Sequence, residues 1–421
     1  MPLKTSPIRL AICVTIFASA IGFLGARTQG PLNRPTTHGD ELFYLDLARS
    51  LAAGKGYTAT LTPWPGLAHL GRLPLWPALL APELWLFEAY VGPNVVLRGT
   101  ATILQGICCG LLVLLTYRVW RDELAAVLAG VLLATYVPAL GLMEIGLSEH
   151  AFLVMGLAGF LLLFADRWKQ VVGAGLLGLS VLSRGNFVLL PLMMALVGIV
   201  RRRGSVKYWK RYTLLAVVFL IPASLWILRN YRVSGVFPLL SALDGEAFYG
   251  ANNSMLRVYV YNWGFYMYPD GIPGERPKKE LAKVMSEAEL NHYYKQKGMA
   301  YIRKNWFVYP FLIMGKLIRG FVPIPMNPTA ILYIGSLARW LLYGGFVLAI
   351  RRGVLQNELY ATILGATFLV TLATTIIYYG TFRFTFCLEV FFMPCVGVLL
   401  ARQWRKCHRS EAMVSTEREG V

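Results

Sequence analysis

The sequence is poor in charge, and above all in acidic residues. Only 15% of its 421 residues are charged, and Asp and Glu together number 22 against 41 Lys and Arg. A soluble domain of this length would carry about a quarter charged residues. Hydrophobic residues make up 56% of the chain and occur in long runs, which are typical of membrane-spanning helices. The composition therefore excludes an ordinary soluble protein and predicts an all-α polytopic membrane protein.

Cysteine and histidine are also scarce, at six and five residues. No cysteine falls in either long loop, 26–93 or 229–330, and no C-x-x-C spacing occurs, so neither a disulfide framework nor a zinc site is expected. The net charge of +19 would suit nucleic-acid binding, but the Lys and Arg lie between the apolar runs. Basic residues there orient helices and contact anionic headgroups. We expect membrane lipids as partners and no nucleic acid.

The apolar runs and the basic residues between them predict about ten spans. The first run, 8–25, has no A-x-A-like cleavage site after it, so we expect a retained helix rather than a signal peptide. The predicted cytoplasmic turns carry Lys or Arg, which places both termini in the cytoplasm of a multi-pass protein of the inner (plasma) membrane. Loops 26–93 and 229–330 then face outward and the basic tail 401–421 inward, within one domain covering 1–421.

Two segments decide whether this topology holds. The run 171–200 is interrupted at Ser183–Asn186, and reading it as one span would invert every later loop. A hairpin of two short helices meeting at Arg184 keeps the basic residues inside. The run 306–325 is apolar but contains Lys316 and Arg319, so we expect an amphipathic juxtamembrane helix rather than a span.

Ionisable residues inside or at the edge of membrane spans are costly, so each is a candidate for a functional site. Those that gather at the predicted outer face are Asp40, Glu41, Glu149, His150, Arg184 and Arg383. Structural explanations stay open: Asp40 as a helix N-cap, Glu149 as a partner of a helix dipole, and both arginines as side chains snorkelling to headgroups. Acids and bases converging on one face nevertheless indicate a site.

Short motifs in chain order resemble the GT-C superfamily of membrane glycosyltransferases. They are Asp40-Glu41 with Tyr44, Gly54 and Gly56-Tyr57, then Arg72-Leu73-Pro74-Leu75-Trp76-Pro77, Ser148-Glu149, Gly175 to Arg184, Asp244 to Asn253, and Gly380-Thr381-Phe382-Arg383-Phe384. The nearer resemblance is to the bacterial branch of the dolichyl-phosphate-mannose–protein mannosyltransferases (family 39), including aminoarabinose-type transferases. It implies a GT-C-type fold with juxtamembrane helices in the outer loops.

The resemblance implies an inverting hexosyl or pentosyl glycosyltransferase that takes its sugar from a polyprenyl-phosphate carrier at the outer membrane face. Asp40 would remove the acceptor's proton, and Glu41 would orient the acceptor or a metal. Arg184 and Arg383, with Lys316 as a further candidate, would hold the donor phosphate. Glu149 and His150 are candidates for binding the acceptor or a divalent metal, Mg or Mn, although no cofactor is certain. The acceptor would be an envelope lipid, glycan or protein.

The chain departs from this family in two ways. It is short and carries no large soluble C-terminal domain, and Phe384-Thr385 stand where relatives often have Tyr-Arg. The main alternative is a polytopic transporter or flippase of envelope precursors, since intramembrane charges and broken helices are typical of transporters. A non-catalytic assembly factor is the third hypothesis. Charges gathered at one face, without an internal repeat, favour the enzyme.

Overall fold

The computed structural model describes residues 6–28, 32–35, 39–201, 206–257, 263–324 and 330–419. Within these ranges the regular structure is helical, apart from an isolated antiparallel bridge between Thr58 and Ala68. The α-helices, in chain order, are α1 (Pro7–Thr28), α2 (Gly39–Ala52), α3 (Leu75–Val91), α4 (Pro93–Trp120), α5 (Glu123–Ala134), α6 (Val137–Ile145), α7 (Glu149–Leu163), α8 (Arg167–Val181), α9 (Leu190–Arg201), α10 (Val206–Ser234), α11 (Asp244–Gly250), α12 (Lys278–Leu281), α13 (Glu287–Lys304), α14 (Tyr309–Phe321), α15 (Ala330–Arg351), α16 (Glu358–Ile377), α17 (Phe382–Glu389) and α18 (Phe392–Glu419). The all-α prediction is confirmed.

Five of the described helices, α1, α4, α10, α15 and α16, are long and apolar enough to cross a membrane. Two further spans are bent pairs: α5 and α6 meet at 50°, and α17 and α18 meet at 47°. The remaining three of the ten expected spans are α7, α8 and α9, with 15, 15 and 12 residues. These are shorter than the roughly 20 residues that an upright span needs. The polytopic architecture is confirmed with five to seven candidate spans among the described residues, whereas ten spans remain a prediction from the sequence.

The first membrane helix packs closely along α4. Gly106 and Gly110 lie one helical turn apart on α4, and a Cβ at either position would overlap Ser19 or Thr15 of α1. Small residues at this spacing let two helices approach each other, and van der Waals packing then holds them in an apolar environment. This contact fixes the start of the chain against the centre of the helix bundle.

The run 171–200 breaks at Arg184, as expected. Helix α8 ends at Val181, and a 3₁₀ turn over Gly185–Leu189 leads into α9. However, α8 packs against α7 and α10, whereas α9 packs against α16. The two halves therefore contact different neighbours, and the break presents Arg184 between them.

The first predicted outer loop contains two helices, α2 and α3. Sequence analysis did not anticipate α3, because Pro77, Pro82 and Glu83 interrupt its apolar residues. The second predicted outer loop contains α11 to α14, and α13 begins with a capping box formed by Ser286 and Glu289. Both regions contribute residues to one cavity: Arg72 and Leu73 come from the first, and Ser241, Leu243, Asp244 and Ala247 from the second.

Candidate functional site

The site begins at the first turn of α2, which places Asp40 against two arginines from distant parts of the chain. Its Oδ1 atom accepts a hydrogen bond from Arg72 Nη2 at 2.5 Å, and its Oδ2 atom accepts one from Arg383 Nη1 at 3.0 Å. The Asp40 side chain is 16% exposed. Because the helix begins at Gly39, Asp40 is the second helical residue rather than the N-cap. Its carboxylate is thus directed at the arginines instead of capping the helix.

The backbone of Arg72 is hydrogen-bonded to a buried histidine, His69. The backbone N–H of Arg72 donates to His69 Nε2 at 2.9 Å, and His69 Nδ1 lies 3.3 Å from Glu287 on α13. Burial lowers the pKa of His69 to about 3, and the charge of nearby Arg72 adds to this. The imidazole is therefore neutral near pH 7, as an acceptor nitrogen requires. Arg72 is fixed where the two outer-loop regions meet.

Arg383 joins Asp40 to a second, fully buried carboxylate. Its Nε atom donates to Glu149 Oε1 at 2.6 Å, and Arg184 Nη1 forms an ion pair with the same oxygen at 2.8 Å. Glu149 lies in the first turn of α7 and has no exposed side-chain surface. The residues Arg72, Asp40, Arg383, Glu149 and Arg184 thus form one continuous chain of ion pairs, which we call the charge row. Three arginines and two carboxylates leave it with one net positive charge.

The three arginines of the charge row line one cavity of about 380 Å³. Other lining residues include Tyr44, Ser183, Ser241, Asp244, Tyr378 and Tyr379. Arg72 and Arg383 are 22% and 24% exposed, so their guanidinium groups remain reachable, whereas Arg184 is 7% exposed. Preorganised guanidinium groups in a partly dry cavity suit an anion such as phosphate.

Glu41 and His150 follow Asp40 and Glu149 directly in sequence, yet neither joins the charge row. Glu41 is buried, with Oε2 3.9 Å from Arg98 Nη2. Arg98 also donates to the carbonyl oxygens of Leu32, Arg34 and Glu144, so this group fastens the start of the first loop to α4.

His150 is fully buried, with its ring centroid 6.2 Å from that of Phe386. Among the described residues, neither ring nitrogen of His150 has a hydrogen-bond partner. The imidazole does not reach the cavity lining. Its position is that of a core residue at the start of α7.

Lys316 also lies outside the cavity lining. It is fully buried on α14, where its ammonium donates to Asn252 Oδ1 at 2.9 Å and to the carbonyl of Ile376 at 3.1 Å. Burial lowers its pKa to about 7. The lysine thereby ties α14 to the end of α16, immediately before the cavity residues Tyr378 and Tyr379. This contact supports the cavity wall, and Lys316 contributes no cation to the cavity lining.

Sequence analysis did not single out Arg72 or Asp244 as site residues, although both lie in motifs that carry the family resemblance. Arg72 is a lone arginine between apolar residues, with Leu70 and Gly71 before it and Leu73 and Pro74 after it. This isolated position could have indicated a site residue, because a charged side chain beside an apolar run needs a partner of opposite charge.

The donor set of the charge row does not suit a divalent metal. Within the described residues, no group of three or more His, Cys, Asp or Glu side chains is arranged to bind a metal ion. Asp40 and Glu149 both face guanidinium groups, which would repel a divalent cation at the same oxygens. The carboxylates that a metal would need are instead paired with arginine side chains.

A second cavity of about 530 Å³ shares Tyr379 with the first. Its lining combines apolar side chains, including Val137 and Ile145 of α6 and Leu332 of α15, with the charged side chains of Arg34, Glu144, Arg319 and Arg339. The segment Tyr379–Phe382, which leads into α17, also contributes to this lining. The two cavities therefore adjoin at Tyr379.

Solved structures with the same fold include the archaeal oligosaccharyltransferase AglB from Archaeoglobus fulgidus, solved in complex with an inhibitory peptide and a dolichol-phosphate. That structure has a TM-score of 0.55 and 16% identity, and it is matched over 96% of this chain and 52% of its own. Its apo form matches with a TM-score of 0.55 and 15% identity over the same shares. This chain spans about half the length of AglB. The GT-C-type fold expected from the sequence is confirmed.

ArnT from Cupriavidus metallidurans, bound to undecaprenyl phosphate, is more distant. It has a TM-score of 0.47 and 14% identity, with 92% of this chain and 77% of that chain covered. No protein-family model and no curated protein sequence matches the chain.

Proposed function

We propose that this protein is an inverting glycosyltransferase that moves one hexosyl or pentosyl unit from a polyprenyl-phosphate carrier to an envelope acceptor at the outer face of the membrane. The observation that carries the proposal is the charge row. Arg72, Arg184 and Arg383 line a cavity, and Asp40 lies within hydrogen-bond distance of two of them. A phosphate group bound by these arginines would place its sugar close to a carboxylate.

The reaction would be a single displacement. The acceptor's hydroxyl oxygen bonds to the anomeric carbon while the bond from that carbon to the phosphate oxygen breaks. The electron pair leaves on the phosphate, and Asp40 takes the acceptor's proton. The departing phosphate changes from a singly charged diester to a monoester with a charge of about −1.5 to −2. Arginines held in place by Asp40 and Glu149 stabilise this growing charge without first having to reorganise.

The neighbouring cavity supports a lipid carrier. It has a volume of about 530 Å³, offers apolar side chains such as Val137, Ile145 and Leu332, and adjoins the arginine cavity at Tyr379. A phosphate among arginines with its polyprenyl chain against apolar residues would satisfy both surfaces. AglB and ArnT were solved with dolichol-phosphate and undecaprenyl phosphate, respectively, and the likeness in fold to AglB makes the same class of carrier the natural candidate.

The test is mass spectrometry of lipids that co-purify with the protein. Wild type should retain a polyprenyl phosphate or its glycosylated form, and the Arg184→Ala/Arg383→Ala variant should lose it. Arg276→Ala/Arg303→Ala is the matched control, since both arginines are exposed in the second outer loop. Equal retention in wild type and the site variant would contradict the phosphate assignment.

Removing two arginines leaves Glu149 buried without its partners, so the site variant is examined also with Glu149→Gln added. The neutral triple variant removes the uncompensated charge. Asp40→Asn separates the remaining hypotheses. An enzyme should retain most of its carrier, with a larger share of it in the glycosylated form, whereas an assembly factor should show no change in that share.

A transporter is the second candidate, because α5 and α6, and α17 and α18, are bent pairs. Reconstituted vesicles distinguish it from a transferase. Movement of the loaded carrier across the bilayer without release of sugar, unaffected by Asp40→Asn, would favour the transporter.

A further inference from the structure

Asp244 stands out among the cavity residues because its carboxylate has no partner. It lies at the start of α11 and lines the same cavity as the three arginines. Within the part of the chain that the structure describes, it makes no hydrogen bond or ion pair. Asp40 and Glu149, by contrast, are both engaged by arginines. Asp244 is therefore the carboxylate that a ligand would meet.

The position of Asp244 is fixed by close backbone packing. The N–H of the following residue, Gly245, donates to Asn291 Oδ1 on α13 at 2.6 Å. A Cβ at Gly245 would overlap the Asn291 backbone, so α11 cannot sit this close to α13 with a larger residue. The carboxylate is thus presented to the cavity from a rigid support, as a recognition group requires.

Asp244 is ionised near pH 7, and a ligand that covers its charge without donating a hydrogen bond binds unfavourably. Burial raises its pKa to about 6, and Lys295 on α13 partly offsets this. The side chain is therefore mainly charged at pH 7. Tyr378 lines the same cavity, and burial together with the charge of Asp244 raises the pKa of that tyrosine. A ligand that fills the cavity without offering hydrogen-bond donors would leave this charge uncompensated.

We infer that Asp244 binds the hydroxyl or amino groups of the carrier's sugar and so makes the cavity select the glycosylated carrier over the bare polyprenyl phosphate. The inference rests on the proposed function and adds a recognition residue to it. The arginines account for the phosphate, which both carriers have. Asp244 accounts for the sugar, which only the loaded carrier has.

The charges of the two carriers strengthen the discrimination. The glycosylated carrier is a phosphodiester with one negative charge, which matches the single net positive charge of the charge row. The bare carrier is a phosphomonoester with a charge of about −1.5 to −2. Asp244 repels this additional charge, and no sugar then screens the carboxylate from the phosphate. Loss of the sugar on transfer would weaken retention of the spent carrier.

The experiment measures the dissociation constants of undecaprenyl phosphate and of the same lipid carrying glucose, mannose or arabinose. Full-length protein in nanodiscs is titrated as wild type, Asp244→Ala, Asp244→Asn and Glu280→Gln. Glu280 is an exposed carboxylate in the same outer-loop region and does not line the cavity. Hydrogen bonds to a charged group contribute enough for a preference of about tenfold to a hundredfold in wild type.

Wild type should prefer at least one glycosylated lipid, and Asp244→Ala should reduce that preference by about tenfold or more. Asp244→Asn, whose amide oxygen still accepts a hydrogen bond, should fall between them, and Glu280→Gln should match wild type. Affinity of Asp244→Ala for the bare lipid that equals or exceeds that of wild type shows that the fold is intact, since removing Asp244 also removes its repulsion of the phosphate. If this variant binds neither lipid, the isosteric Asn variant decides.

Two failures are distinguishable. A preference that is absent in wild type, or that survives in both Asp244 variants, overturns the inference while leaving arginine-dependent lipid binding in place. Binding that is absent for every lipid, or that persists without Arg184 and Arg383, overturns the proposed function itself.

Discussion

Neutralising Glu149 is the substitution with the largest predicted effect on stability. Its Oε1 atom accepts a hydrogen bond from Arg383 at 2.6 Å and forms an ion pair with Arg184 at 2.8 Å, and the side chain is fully buried. Glu149→Gln keeps the shape but leaves two guanidinium groups beside a neutral amide. Removing one partner from a buried ion pair costs about 3–5 kcal/mol. Arg383 is 24% exposed and its charge is therefore partly screened by solvent, so we expect Glu149→Gln to lower the free energy of unfolding by about 3 kcal/mol.

The assay is the free energy of unfolding of purified protein, measured by titration with sodium dodecyl sulfate. A double-mutant cycle with Arg383→Gln should show coupling of about 2 kcal/mol, because the double variant removes both charges together. Glu88→Gln is the control: Glu88 pairs with Arg49 at 2.5 Å, but the two side chains are 30% and 48% exposed. An exposed pair contributes about 0–1 kcal/mol. Additive effects at Glu149 and Arg383, or a loss no larger than the control's, would refute the reasoning.

Two further predictions concern the supports of the cavity wall. Burial lowers the Lys316 pKa to about 7, so between pH 7 and its ordinary value of 10.5 the unfolded chain binds more protons than the folded one. The free energy of unfolding of the wild type should therefore rise with pH in that window relative to Lys316→Met, by at most about 1.4 kcal/mol per pH unit. Parallel pH profiles of the two proteins would contradict the lowered pKa of Lys316. Gly380→Ala should destabilise the protein by about 1–3 kcal/mol, because the added Cβ would overlap the Lys316 carbonyl oxygen. The control is Gly344→Ala in α15, which has open space around it and should be neutral or stabilising. Equal melting temperatures of the two variants would contradict the predicted overlap.

Long apolar runs were sufficient to predict the unbroken spans, but the breaks within two others had weaker local signals. Pro138 at the start of α6 is compatible with the bend after α5, yet proline also occurs inside α3 and α10. The bend between α17 and α18 lies beside Glu389, whose Oε1 atom accepts a hydrogen bond from Arg339 at 2.7 Å. That pair joins residues 50 positions apart. Local patterns cannot report a contact of this kind.

The candidate site was predicted in part, and helix geometry explains which part. Asp40 and Glu41 were both expected to function, as were Glu149 and His150. Neighbouring residues on an α-helix point about 100° apart, so the two members of each pair face different surroundings. In each pair the first residue joins the charge row and the second is buried elsewhere. The periodicity of α2 and α7 could have made this distinction once the helix starts were known.

Asp40 has two roles, one as the ion-pair partner of two arginines and one as the proposed base, and a single substitution can separate them. Asp40 holds Arg72 and Arg383 in place, and the proposed mechanism also requires it to accept a proton. A buried row of five charges is not an efficient way to gain stability, since apolar residues of similar volume often stabilise as well or better. Its presence is better explained by preorganisation of the arginines for an anion. Asp40→Asn should therefore weaken carrier binding modestly, through looser arginines, and abolish transfer almost completely. Equal losses of both would make Asp40 a positioning residue alone.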